Sequence, residues 1–185
     1  IGRACGGTGL SYAAAVSLGA TPFYNFGTEE QKQEYLVPMA QGKTFGSFGL
    51  TEPNAGSDAG GTRTKAYLDG DEWVINGEKC WITNASYARQ VVVTAVTGQD
   101  ERGKNIITAI IVPTDTPGVT IRSDYQKMGV RASNTCEIVL ENVRVPKENI
   151  LGDEKKGFGQ FLNTLDGGRI SIAALSVGIA QSAFE

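Results

Sequence analysis

Hydroxyls, an indole and a set of glycines gather in two short runs of this 185-residue chain. In the first, from Phe48 to Ser57, the residues Thr44, Phe45, Phe48 and Leu50 suit a strand, and Pro53, Asn54 and Gly56 end it. Such a strand delivers Thr51 and Ser57 to a fixed place, while Gly56, Gly60 and Gly61 let the backbone bend until several N–H groups point at one anion. That is chemistry for a phosphate or for the polar edge of a ring; it is also what a plain glycine-rich turn between strands looks like. In the second run, Cys80 to Asn84, Trp81 and Thr83 lie two residues apart, and on a strand residues i and i+2 share a face. An aromatic plane and a hydroxyl would then look the same way. A core tryptophan is the plainer reading of Trp81, and turn-capping hydroxyls the plainer reading of Thr51 and Ser57.

Taken together, Leu50-Thr51-Glu52-Pro53 with Ala55-Gly56-Ser57-Asp58, followed by Trp81-Ile82-Thr83-Asn84, resemble in type and order the motifs of the acyl-CoA dehydrogenase family. Met128-Gly129-Val130-Arg131 and Asp166-Gly167-Gly168-Arg169 are similar to the family's later signatures, and the branch resembled is the short-chain, butyryl-CoA dehydrogenase-like one. The resemblance implies FAD lying against Phe48, Leu50, Thr51 and Ser57, with Thr51 near the polar edge of the isoalloxazine and Trp81, Ile82 and Thr83 along the ring. A flavin that accepts hydride gathers negative charge on its pyrimidine side, so donors there stabilise the reduced form. It further implies an acyl-CoA thioester contacted by Ser57, Asp166, Gly167, Gly168 and Arg169; a salt bridge within one helix is the plainer account of Asp166 and Arg169. With no Gly-x-Gly-x-x-Gly after a strand, the flavin would not be held in a Rossmann fold.

The reaction implied is oxidation of acyl-CoA to 2-enoyl-CoA: a carboxylate takes the α-proton, and FAD N5 takes the β-hydrogen as hydride. Electrons then pass to an electron-transfer flavoprotein. In one branch of the family the catalytic glutamate falls where this chain has Gly168, which cannot take a proton. The base is therefore expected beyond Glu185, with no catalytic residue in the chain itself, which reads as an inactive piece of a homotetrameric enzyme of the cytoplasm or, in a eukaryote, the mitochondrial matrix. Other readings are a flavin oxidase or monooxygenase of the same fold, and a non-catalytic β-domain that meets a partner through the helix from Phe158 to Phe184.

Composition narrows the field from another side. The chain has no histidine, which removes Ser-His, Cys-His and His-ligated metal mechanisms and leaves proton chemistry to carboxylates. Glu52, Asp58, Glu137 and Glu141 lie near the motifs but suit surface or turn roles better than catalysis. The net charge of −3 with dispersed Lys and Arg implies no nucleic-acid face, and Cys5, Cys80 and Cys136 lack the spacing of a zinc or disulfide framework. No run approaches the roughly 18 apolar residues of a membrane span, and the start at Ile1 reads as a fragment. Arg131 has no evident chemical role.

The elements that must position these groups are mainly β: a central β-barrel or sandwich domain flanked by partial α-helical domains. We expect residues 1–43 to be the tail of an N-terminal helical domain, 44–152 a middle β-domain, and 153–185 the start of a C-terminal helical domain. A helix is expected from about Gly9 to Leu18; a second begins at the Thr28-to-Gln31 capping box, is bent by Pro38 and closes at Gly42. Asp69-Gly70 and Asn76-Gly77 read as tight hairpin turns joining Thr64–Leu68, Glu72–Ile75 and Lys79–Ile82. Val91–Val96 and Ile106–Val112 are apolar enough to be buried on both faces; Val119–Tyr125, Thr135–Val139 and Val143 complete the sheet. From Gly157 an apolar stripe returns at helical spacing, with nothing else in the chain expected to cover it.

Overall fold

Valine-rich β4 (Ala88–Gln99) is the strand around which the sheet is built. In the computed structural model, which describes residues 1–123 and 125–185, β1 (Phe45–Gly49) runs parallel to its first half, with Ser47 opposite Val91 and Gly49 opposite Val93. Strand β2 (Lys65–Asp69) touches its second half at Val96, and β5 (Asn105–Pro113) pairs antiparallel along the other edge. The sheet continues from β2 to β3 (Glu72–Thr83), β7 (Thr135–Pro146) and β6 (Val119–Arg122), all antiparallel, and the whole mixed sheet curls into a half-barrel. Because β4 has layers on both sides, Val91 and Val93 face one core with Ile110, Ile138 and Trp73, while Val92 faces another with Phe23, Ile111 and Phe161. The near-continuous apolar run follows from that double burial.

Several expectations change. Helix makes up 38% of the chain and strand 34%, so the fold is mixed rather than mainly β. Asp69-Gly70 does turn the β2–β3 hairpin, with Gly70 at φ +65, but Asn76-Gly77 turns nothing. There β3 runs on through a bulge, and Gly77 passes so close to Thr64 that an added Cβ would lie 2.4 Å from its hydroxyl. Glycine is needed at that position for approach, not for a turn. Likewise β7 is one strand across Thr135–Pro146, while β6 stops at Arg122; of the longer strand expected to Tyr125, Asp124 lies outside the described residues.

The first helix begins earlier than its sequence suggests and runs on past Leu18. Helix α1 (Gly6–Ala14) passes through a π-helical stretch, Ala15–Ala20, into α2 (Thr21–Phe26). The capping box at Thr28 and Gln31 is formed as expected, and starts α3 (Glu29–Gln31), a second π-helical stretch Lys32–Leu36, and α4 (Val37–Ala40), which Pro38 opens rather than breaks. Helix α5 (Gly157–Phe184) carries the returning apolar stripe and does find a partner within the chain. A Cβ on Gly9 would meet Leu175 at 2.6 Å, and one on Gly6 would meet Ile179 at 2.9 Å, so the glycines that weaken α1 as a helix are what let α5 lie against it.

Candidate functional site

Where β1 leaves the sheet, its last residues come up beside the end of β3. The Cys80 N–H donates to the Thr51 carbonyl at 2.9 Å, and the Ser47 hydroxyl donates to the Thr83 carbonyl at 2.9 Å, tying β1 and the residues after it to the end of β3. Asn84, in the left-handed conformation at φ +65, reaches back to the Ser11 carbonyl and pins α1 to the same corner. The result is a cleft of about 130 Å³ lined by Phe48, Leu50, Thr51, Trp81, Ile82 and Thr83, with Ala14 and Leu18 from the first helical layer and Leu165 from α5. Six residues singled out from sequence thus share one hollow. Their contributions differ: Phe48 and Leu50 are core side chains, Phe48 stacking on Phe161 at 4.0 Å, and they offer the cleft little more than an edge.

Trp81 is the residue least like its expected core role. It sits in the register shift between Lys79 and Ile82 at φ +60, and 59% of it is exposed. One face of the indole stacks on Tyr125 at 4.2 Å, and the Tyr125 hydroxyl donates to Glu137 at 2.8 Å. Burial and that hydrogen bond to a carboxylate push the phenol up to about 12, so it stays a donor. A bulge of this kind re-aims one side chain without ending the strand.

Below the cleft lies a group that sequence reading placed on the surface. Glu52 is 3% exposed, and its Oε1 accepts from Lys79 Nζ at 2.8 Å. The same carboxylate accepts the backbone N–H of Arg63 at 2.7 Å and of Thr64 at 3.1 Å. The returning end of the glycine-rich loop therefore gathers its N–H groups on the chain's own carboxylate. Burial pushes Glu52 up, but the Lys79 ammonium and these donors outweigh it and hold the carboxyl below its ordinary range. Burial pushes Lys79 down to about 8, against the opposing pull of Glu52. The sequence carries little signal for this pair, because Lys79 follows Asn76, Gly77 and Glu78 on a strand whose Glu78 is exposed.

The remaining residues lie outside the cleft. Ser57 is exposed on the loop between Glu52 and the short turn Ala59–Gly61. That loop leads to a second, broader hollow of about 1140 Å³, walled by Gly60, Phe158 and Asn163 and edged by Arg102, Lys104, Lys155 and Lys156 with Asp100 and Glu101. Asp166 and Arg169 pair with each other on the surface of α5, Gly167 is exposed, and Gly168 packs toward Leu18, which an added Cβ would meet in ordinary contact at 3.4 Å. They begin one residue past Leu165, at the cleft's edge. Arg131 donates to the Lys127 carbonyl at 2.7 Å, closing its own loop. No group of three or more metal-binding side chains converges among the described residues, and no described helix is long and apolar enough to cross a membrane.

The architecture is shared with known proteins. The butyryl-CoA dehydrogenase of Megasphaera elsdenii superposes with a TM-score of 0.94 at 45% identity, over 98% of this chain and 48% of that one. An acyl-CoA dehydrogenase from Bacillus anthracis, solved in complex with FAD, gives a TM-score of 0.84 at 40% identity, over 91% of this chain and 28% of that one. The fold is thus that of the acyl-CoA dehydrogenases. In sequence, residues 47–143 match the profile of the acyl-CoA dehydrogenase middle domain, and residues 1–43 that of its N-terminal domain. The probable acyl-CoA dehydrogenase YngJ of Bacillus subtilis is 75% identical over all 185 residues, which cover 49% of its length. The chain belongs to the acyl-CoA dehydrogenase family and spans about half the length of the relatives it matches.

Proposed function

We propose that this chain is the flavin- and thioester-binding core of an FAD-dependent acyl-CoA dehydrogenase that converts short-chain acyl-CoA to 2-enoyl-CoA. The observation that carries the reading is the meeting of Phe48–Thr51 with Trp81–Thr83 in one cleft. The residues present fit the cofactor: Thr51 and Thr83 bring hydroxyls to the lining, the Trp81 indole offers an exposed aromatic plane, and Ile82 and Leu165 supply apolar walls. At about 130 Å³ the cleft takes the edge of a tricycle and not the whole of it, since ligand sites run to roughly 300–1,000 Å³. Bound FAD would supply the two-electron acceptor for the β-hydrogen.

Ser57 lies on the loop that runs from this cleft to the cationic hollow, a layout that suits a thioester whose phosphates lie by Arg102, Lys104, Lys155 and Lys156. Asp166, Gly167, Gly168 and Arg169 would meet the pantetheine arm where α5 passes the cleft. No carboxylate lines the cleft among the described residues, and Glu52 is held by Lys79. The base that takes the α-proton is proposed to come from outside the described lining of this cleft. An electron-transfer flavoprotein as acceptor, a homotetramer, and a cytoplasmic or matrix location complete the reading.

Trp81 makes the test simple, because it is exposed and the other tryptophan, Trp73, is 2% exposed with its Nε1 on the Lys147 carbonyl. In the full-length protein, FAD should quench Trp81 emission and leave Trp73 unchanged, as read in Trp73→Phe and Trp81→Phe variants. Butyryl-CoA should then bleach the visible flavin band, whereas the 185-residue chain alone should form no enoyl-CoA. Quenching confined to Trp73, or none, would overturn the reading.

A further inference from the structure

The Lys79–Glu52 pair has more partners than an ion pair needs. The Lys79 ammonium is fully buried and donates to Glu52 at 2.8 Å, to the Thr94 hydroxyl at 2.9 Å and to the Leu50 carbonyl at 3.4 Å. Glu52 in turn takes the N–H groups of Arg63 and Thr64. Four parts of the chain thus meet at two charges: β3, β4, the exit of β1, and the point where the loop from Thr51 returns to β2. The exit residues Leu50 and Glu52 bracket Thr51, whose own carbonyl is held by the Cys80 N–H. On β3, Trp81 and Thr83 follow Lys79 into the lining of the cleft.

Stability is a poor explanation for such a pair. Taking two charges out of water costs several kcal/mol each, and replacing a buried pair by well-packed neutral residues is often neutral or stabilising. What two opposite charges do supply is register: a single arrangement in which both ends of one loop are fixed to the same point. Resting on the cofactor reading above, we propose that Lys79 and Glu52 are positioning residues that hold the loop from Thr51 to Gly61 in its ligand-binding form. Neither touches the cleft. They act through the peptides on either side of Thr51 and through the loop's return at Arg63 and Thr64.

The test is the double variant Lys79→Met with Glu52→Gln, which keeps volume and removes both charges, in the full-length protein. We expect it to melt as one cooperative unit close to the parent, while amide exchange rises across residues 51–64 in the FAD-free protein. Its dissociation constant for FAD should rise on the order of tenfold or more, with a shifted visible flavin spectrum. Glu52→Asp, which keeps the charges but shortens the reach, should fall between the two and fold even where the double variant does not. Unchanged loop exchange in a folded double variant overturns the proposal. So does a Glu52→Asp protein that loses melting temperature while loop exchange and flavin spectrum stay as in the parent, because the pair is then only structural. If the parent binds no FAD, the cofactor reading fails, and the exchange data still decide the positioning role.

Discussion

Glu52 carries a pH dependence whose sign its surroundings fix. Its folded-state carboxyl titrates below the ordinary 4.5, so its contribution to stability is complete above that value and is lost as pH falls through the lowered one. Urea unfolding followed at a series of pH values should show a stability decline beginning below about 4.5. The Lys79→Met, Glu52→Gln double variant should lack that component. Gly77 makes a second prediction: an alanine there must push against Thr64, and Gly77→Ala should cost about 1–3 kcal/mol in the same assay. Both residues show where single letters mislead. Glu52 stands beside Pro53 and Asn54 and reads as part of a turn, and Gly77 follows an asparagine and reads as a hairpin. Their roles depend on partners twelve to twenty-seven residues away, Thr64 and Lys79, which no local pattern reveals.

At the scale of elements, the alternating and continuous apolar runs identified nearly every strand, because burial on one or both faces writes itself into spacing. Pairing order is another matter. That β1 would lie parallel to β4, across more than 35 intervening residues, follows from the packing of the helical layer on their common face and has no local signature. The motif residues of β1 and β3 nonetheless belong to one site by resemblance, and the bonds from the Cys80 N–H and the Ser47 hydroxyl explain how they arrive there. Helix α5 is tied into this arrangement by Phe161, which is 2% exposed and stacks on Phe48. Phe161→Ala should therefore cost about 3–5 kcal/mol and loosen the cleft wall, read as a lowered denaturation midpoint together with faster amide exchange at Leu50 and Thr51.

Across the whole molecule, one flank remains apolar. Ile170 is 75% exposed and Val177 69%, on the same helix whose Leu175 and Ile179 pack against α1. Substituting Val177→Lys should leave stability within about 0.5 kcal/mol of the parent while lowering self-association of the 185-residue chain in analytical ultracentrifugation. The cleft also has a consequence for the order of events during synthesis. Its walls are drawn from Ala14 at one extreme and Leu165 at the other, with β1 waiting for β4 and both waiting for α5. A nascent polypeptide emerging from the ribosome can pair β2 with β3 early, yet it cannot assemble the corner at Thr51 until almost everything downstream has been translated. Any ligand that seats there would act as a late checkpoint, engaging only molecules whose distant ends have already found each other.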